Sequence, residues 1–586
     1  MSAGAGGRSA GGLGLAAAAG AVAGALAVAA YMSRLEQRGD GDSRSSRPEK
    51  KTETAQPKLG EELACMGLDK YRRAVYCDYN ATTPVFPEVA AVMAPFLYSC
   101  FGNPSSPHVF AAPCREAVAL ARQQVGELVN APQPYEETIC FTSCGTESDN
   151  MAVRIAIHHY RTFHNANANA NANASASADP PRTPHVVTCA VEHPAVLVFL
   201  RELERNKEIE LTVVPVDAEG FVSPADVVGA LTKNTCLVTI MHSNNEVGTI
   251  QPLREISRGV RAFNAAAAAA AGGGGGSGAA AAAGASGGVL LHTDAAQSLG
   301  KGVAVDVEAW GVDLATIVGH KFGAPKGVAA LFVRQGVRTG GVVGLVGGGQ
   351  ERGRRAGTEN VMLIAGLGEA ARLARVEAGA LLLRMLSLKK RLVEGLLEGL
   401  AARGIKALPS FSGAGAGAGG GAGVALRFNG PRKAADPAEL ESDLALLRII
   451  LLPSGGGLGS GSGSANGSSS NGSGGSGSAA RSSSLVLEQL PNTLSVSFRG
   501  LLAPDLMPQL ASLVACSAGS ACHSADHTSI SPVLRAMGVP PEYALGTLRL
   551  SWGRHTTDRD IDLVAERVAD VVAPGLRASA AAAAAP

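Results

Sequence analysis

Five stretches of this chain constrain its fold more than any bulk property, because each is an apolar run that breaks off at polar residues. In "ETICFTS" a β-branched and aromatic run halts at "CGTES", and "DNMAVRIAIHHY" then spaces its apolar residues as a helix does. "HVVTCAVEHPAVLVFL", "TCLVTIMHSNNEVG", "GVLLHTDAAQSLG" and "DLATIVGHKFGAPKGVAALFV" repeat the apolar run and its polar ending. Strands covered on both faces by helices read this way, so the pattern predicts a mostly parallel α/β sheet. Ligands of such sheets collect at the carboxyl ends of the strands. The residues at those ends are Gly145, Thr146, His193, Asn245, Asp294, Gln297, His320 and Lys321.

Each has an ordinary reading beside a chemical one. The turn from Cys144 to Ser148 opens a helix, and backbone N–H groups at a positive dipole end bind phosphate. Thr146 and Ser148 also fit plain helix capping. Asp294 closes "GVLLHTD", where a buried carboxylate needs a cationic partner such as a protonated ring nitrogen, or else caps the next helix. Lys321 follows "LATIVG" and suits Schiff-base formation, although most lysines are merely solvated. His193 could lie flat on a cofactor ring or be a satisfied structural histidine. Together, a phosphate turn, a carboxylate and an amine on successive strand ends match the needs of pyridoxal phosphate.

Composition sets the boundaries. The chain has 586 residues with 74 glycines, and the segments near 164–182, 264–288, 410–424 and 453–484 lack large apolar side chains, so they read as disordered insertions. What remains, roughly 420 residues, suits a two-domain protomer. The expected organisation is an N-terminal extension (1–70), a large cofactor-binding domain (71–375), a small C-terminal domain (376–575) and a disordered tail (576–586). Net charge is +1 and no basic cluster is interleaved with aromatics, which argues against nucleic-acid binding. The ten cysteines show no CxxC pair and read as single thiols of a reducing compartment, cytosolic or organellar. Leu13 to Met32 is long enough for a membrane anchor but weakly apolar, and its flanking arginines also fit a cleaved mitochondrial or plastid targeting segment.

"YCDYNATTPVFPEVAAVM", "FGNPSSP", "FTSCGTESDN", "VEHPAV", "MHSNNEVGTIQP", "HTDAAQSLGK", "GHKFGAPKG", "GGGQERGRRAGTEN", "LPNTLSVSFRG", "SAGSACHS" and "LRLSWGRHTTDRDID" occur in that order between about Tyr76 and Asp562. In this the chain resembles the cysteine desulfurase and selenocysteine lyase branch of the class-V, fold-type I pyridoxal-phosphate enzymes. The resemblance implies a large domain with a mostly parallel seven-stranded sheet, a smaller C-terminal α/β domain and a homodimer. It implies that Lys321 holds pyridoxal 5'-phosphate as a Schiff base and moves the substrate Cα proton, that Asp294 pairs with the pyridinium, and that His193 stacks on the ring. Gln297 and Asn245 would bond near the phenolic oxygen or the substrate. Gly145, Thr146 and His320 would hold the phosphate, with Thr358 reaching across from a second subunit. Arg549 would clamp the substrate carboxylate, and Asn103 would lie near the substrate entrance.

Cys522, in the small-residue stretch "SAGSACHS", would be the active-site thiol that meets the substrate's chalcogen. The implied reaction removes selenium from L-selenocysteine, or sulfur from L-cysteine, leaving L-alanine. A desulfurase would carry persulfide on Cys522 for a sulfur-acceptor protein, and a related aminotransferase would need no cysteine loop. "TIVGHKF", "HTDAAQSLGK", "NNEVGTIQPLREIS" and "ACHSADHTSISPVL" lean toward selenocysteine lyase, whereas "GGGQERGRRAGTENV" and "SAGSAC" are common among desulfurases. Three departures from the pattern bear on cofactor affinity: Val318 for a serine donor to phosphate, Cys144 for a glycine, and "GAP" after Phe322.

Overall fold

The computed structural model describes residues 74–171, 182–270, 288–340, 345–405, 409–411, 426–432, 436–451, 487–518 and 530–583. All of them belong to one unit, Lys70–Pro586. Residues 13–32, most of the four insertions and Cys522 lie outside the described residues. Among the described residues no helix is long and apolar enough to cross a membrane.

The short strand β1 (Val75–Tyr76) precedes seven strands that form the main sheet: β2 (Ile139–Thr142), β3 (His185–Cys189), β4 (Glu210–Val214), β5 (Thr235–Thr239), β6 (Leu290–Asp294), β7 (Leu314–Val318) and β8 (Ala329–Val333). Their order is β2-β8-β7-β6-β5-β3-β4. β8 runs antiparallel to both its neighbours, and every other pairing is parallel. The chain is thus the expected α/β protein with a mostly parallel seven-stranded sheet.

The strand residues alternate between two cores. Val238, Leu291, Ala315 and Ile317 pack on one face, and Leu237, Leu290 and Leu314 on the other. A strand's period of two puts successive side chains on opposite faces, so near-continuous apolar runs mean both faces are covered. Helices α1 (Ala112–Leu128), α2 (Gly145–Asn171), α3 (Pro194–Arg205), α4 (Leu253–Ala270) and α5 (Val361–Val376) do the covering. Val118, Val125, Ile256, Val260, Ile364 and Leu367 close the first face, while Met151, Ile155, Val196 and Leu200 close the second. Each such aliphatic side chain contributes about 1.5–3 kcal/mol on burial.

A second sheet, ordered β13-β11-β10-β9, consists of β9 (Pro409–Phe411), β10 (Leu426–Asn429), β11 (Thr493–Phe498) and β13 (Thr547–Ser551). Its core is shared with α6 (Ala378–Ala402) and α7 (Asp558–Ala583), through Leu388, Leu392, Leu396, Val564 and Val568. Trp552 is fully buried there and donates its indole N–H to the Met385 carbonyl at 3.1 Å. β12 (Val514–Ala515) pairs in parallel with β1, and Ser551 donates its backbone N–H to the Cys77 carbonyl at 2.8 Å. The segment at 74–80 is thereby stitched to the second sheet before it crosses to the first.

Three segments read from composition as disordered begin or remain as helix. α2 runs to Asn171, α4 to Ala270 and α7 to Ala583. Alanine has the highest intrinsic helix propensity, so a helix already nucleated on packed turns continues into alanine-rich chain.

Candidate active site

The carboxyl ends of β3, β5, β6 and β7 and the N-terminus of α2 present His193, Asn245, Asp294, Gln297, His320, Lys321, Gly145 and Thr146. Asp294 ends β6, is 6% exposed, and accepts the Ala296 N–H at 2.9 Å. Burial raises its pKa, and the positive fields of His193 and Lys321 oppose that rise. His193 caps α3 by accepting the Ala195 N–H on Nδ1 at 3.2 Å. His193 thus makes a capping hydrogen bond and also stands close enough to Asp294 to act on its carboxyl.

Lys321 donates from Nζ to two carbonyls, Asn80 at 2.8 Å and Ala81 at 2.9 Å. Gln297 donates from Nε2 to the same Asn80 oxygen at 3.0 Å. His320 shares a hydrogen bond between Nδ1 and Thr82 Oγ1 at 3.2 Å. Its pKa is pushed down to about 4 by burial and by Lys321 and Lys326, so the ring is neutral at physiological pH.

Gly145 and Thr146 open the 27-residue α2. A Cβ on Gly145 would come within 2.7 Å of Val318 Cγ2, so the turn is shaped around a missing side chain. Val318 is buried beneath that turn, 4% exposed, which makes it a packing residue of the cradle. Ser148 is buried and bonded to Thr142 Oγ1 at 2.7 Å, and Glu147 accepts the Ser143 N–H at 2.7 Å. These two residues brace the turn, whereas Thr146 stays exposed at its mouth. Arg355 ties the segment that carries the exposed Thr358 to this turn through Glu147, with Nε–Oε1 at 2.9 Å.

Arg549, on β13, is only 2% exposed. It donates to Asp78 Oδ1 at 2.6 Å and to the Asn245 carbonyl at 3.0 Å, while its Nε has no partner. Its backbone pairs with Ser517, the Arg549 N–H reaching the Ser517 carbonyl at 2.6 Å. Ser531 donates to Glu246 Oε2 at 2.5 Å, one residue from Asn245. Ser517 and Ser531, which bracket residues 519–529 in sequence, are thus bonded to Arg549 and to the neighbour of Asn245. Asn103 is exposed and accepts the Ser105 N–H at 2.9 Å, and among the described hydrogen bonds it makes none with the site.

Sequence reasoning passed over four residues. Asn80 uses its backbone carbonyl for Lys321 and Gln297, and its side chain for Lys301, Asn492, Asn245 and Thr493. Lys301, 2% exposed, donates to Gln297 Oε1 at 2.7 Å and to Asn80 Oδ1 at 3.1 Å. Asp149 and Glu192 are buried carboxyls near Asp294, each with one oxygen lacking a hydrogen-bond partner. Burial and the neighbouring Asp294 raise the Asp149 pKa, and burial pushes that of Glu192 up to about 8. Behind them, His292 is pushed down to about 3 and bridges Thr239 and Thr316 as a neutral ring, its Nε2 3.8 Å from Asp149 Oδ1. Glu192 carried the same signal as Asp294, an acid ending an apolar run.

The donor set fits pyridoxal phosphate: the turn opening α2 at Gly145 with a neutral His320 for phosphate, the buried Asp294 carboxyl for the ring nitrogen, and the Lys321 amine close enough to act on that carboxyl. The family model for the class-V aminotransferases matches residues 75–271 and 279–407. Selenocysteine lyase of Bos taurus is 35% identical over 505 residues, which is 86% of this chain and 94% of that protein. The chain belongs to the class-V aminotransferase family. Cysteine desulfurase IscS of Anaeromyxobacter dehalogenans is 34% identical over 491 residues, covering 83% of this chain and 90% of the relative. A solved NifS-like protein shares 26% identity at a TM-score of 0.57, covering 85% of this chain and 99% of its own. This class-V chain is accordingly a pyridoxal-phosphate enzyme.

Proposed function

We propose that the protein removes selenium from L-selenocysteine to give L-alanine, with Cys522 as the thiol that meets the chalcogen. The observation that carries this reading is the pairing of Arg549 with Ser517, which ties the Cys522 segment to the site of Lys321 and Asp294. An aminotransferase has no use for a thiol there. When bound, pyridoxal phosphate supplies an electron sink that labilises the substrate Cα proton and the Cβ–chalcogen bond.

The chain's own residues do the rest. Asp294 holds the ring nitrogen protonated, because a carboxylate buried among other carboxyls is stabilised by an adjacent cation. Gly145, Thr146 and His320 bind the phosphate with N–H and O–H donors, and Gln297 donates to the phenolic oxygen. Arg549 receives the substrate carboxylate on its Nε–H edge, and Asn245 lies beside it. Lys321 takes the Cα proton and returns it. The Cys522 thiolate bonds to the chalcogen as the Cβ–chalcogen bond breaks, and the electron pair left on carbon is protonated to give the alanine methyl group.

Cys140, Cys236 and Cys516 are poor candidates for this role, since burial pushes their thiols up to about 12. The exposed Thr358 suits a phosphate contact across a homodimer. A chalcogen-acceptor protein would then discharge Cys522.

The second reading is a cysteine desulfurase, favoured by the desulfurase relatives at 34% identity. Alanine release from L-selenocysteine and from L-cysteine, measured with pyridoxal phosphate and excess dithiol, separates the two. Turnover of selenocysteine alone supports the lyase. Comparable cysteine turnover that disappears in Cys522→Ser supports the desulfurase, and no alanine from either substrate defeats both.

A further inference from the structure

Lys301 is a buried amine with no carboxylate within ion-pair distance among the described residues. Burial and the positive charges of Lys321 and Arg549 hold its pKa well below the usual lysine range. Such a group is costly to keep. Its backbone is also set tightly: Gly300, at φ +69°, packs so that a Cβ there would stand 2.3 Å from Phe322 Cβ, the residue after Lys321. The turn carrying Lys301 is thus seated directly on the turn carrying Lys321.

Lys301 Nζ meets Gln297 Oε1 at 2.7 Å and Asn80 Oδ1 at 3.1 Å. Both oxygens accept from Lys301 Nζ, so the Gln297 carboxamide turns its oxygen to Lys301 and leaves its N–H group on the opposite side. That N–H converges with the Lys321 amine on the single Asn80 carbonyl oxygen, at 3.0 and 2.8 Å. A reversed carboxamide would set oxygen against oxygen at Asn80 and N–H against N–H at Lys301.

We propose that Lys301 is a positioning residue: it fixes the Gln297 carboxamide with its N–H toward the Lys321 amine, so that a phenolic oxygen bound there meets a donor. The proposal rests on the reading of Lys321 as the imine-forming amine. Without Lys301, the Asn80 carbonyl alone orients Gln297, and the donor to the phenolic oxygen is held less firmly. A phenolic oxygen that loses a hydrogen-bond donor favours the protonated imine to higher pH.

The test uses full-length apoprotein titrated with pyridoxal phosphate, following the visible absorbance of the bound cofactor against pH. Lys301→Met is expected to raise the midpoint by about half a pH unit or more. In a Gln297→Met background the same change is expected to do little, because the effect passes through Gln297. An unchanged midpoint in Lys301→Met overturns the proposal, as does a shift that persists in full without Gln297. Should Lys301→Met not fold, Gln297→Glu supplies the answer with the lysine intact. It is expected to raise the apoprotein melting temperature by pairing with Lys301 and to weaken cofactor binding about tenfold; no change in either overturns the proposal. Wild-type protein that forms no borohydride-fixed adduct at Lys321 refutes the reading of Lys321 itself, a result distinct from any of these.

Discussion

Replacing Glu192 by glutamine is expected to stabilise the apoprotein, by an amount that grows with pH. Glu192 Oε1 accepts the Met241 N–H and the Cys189 S–H at 3.2 Å, while Oε2 is buried without a partner. The charges facing it come from Asp294 and, beyond that, Asp149. No cation offsets them at Glu192 itself, and burial lifts the pKa from 4.5 to about 8. A carboxyl whose folded pKa lies above its unfolded one binds its proton more tightly in the folded state. The stability it contributes is therefore complete below about pH 4.5 and is lost as pH rises through about 8.

The loss runs at about 1.4 kcal/mol per pH unit inside that window. Glutamine keeps the Oε1 contacts and cannot ionise. The difference in unfolding free energy between Glu192→Gln and the parent should thus widen by about 2.5 kcal/mol between pH 5.5 and pH 7.5. Urea unfolding of both apoproteins at the two pH values measures it. A difference that is the same at both would refute the claim that Glu192 is held neutral in the folded site.

Two further outcomes bear on cofactor and substrate. Gly145→Ala drives a methyl group to 2.7 Å from Val318 Cγ2, and overpacking of about 1–3 kcal/mol in the phosphate turn should weaken cofactor affinity about tenfold; Val318→Ala, which clears that space, should restore it in an equilibrium titration. Arg549→Lys keeps a charge but loses the planar fork that spans Asp78 and Asn245 and is proposed to receive the substrate carboxylate. It should raise KM about 10- to 100-fold with a smaller change in kcat, as steady-state alanine release would show.

How far the fold could be read in advance follows from which contacts are local. The strand ends were legible because an apolar run of about five residues must stop where the sheet's edge begins, and Asp294, His320 and Lys321 each stand at such a stop. Asn80 was not, since its partners lie as far as 471 residues away and nothing around "CDYNATTP" has a helical or strand period. Lys301 stands four residues after Gln297, yet a lysine following a glycine reads as a solvated turn until its burial is seen. Val318 was expected to cost the phosphate a donor; its packing under Gly145 depends on a contact between β7 and the first turn of α2. The alanine-rich ends misled because composition speaks for long stretches, whereas helix propagation is decided by the packed turn at the start.

Lys321 is the amine proposed to hold the cofactor, although Lys301 and Lys389 are also buried amines, the latter pushed down to about 7. Borohydride reduction of the protein loaded with pyridoxal phosphate, followed by peptide mapping, tests that assignment most directly. A single fixed adduct on Lys321 is the expected result, and an adduct on Lys301 or Lys389, or none, would contradict it.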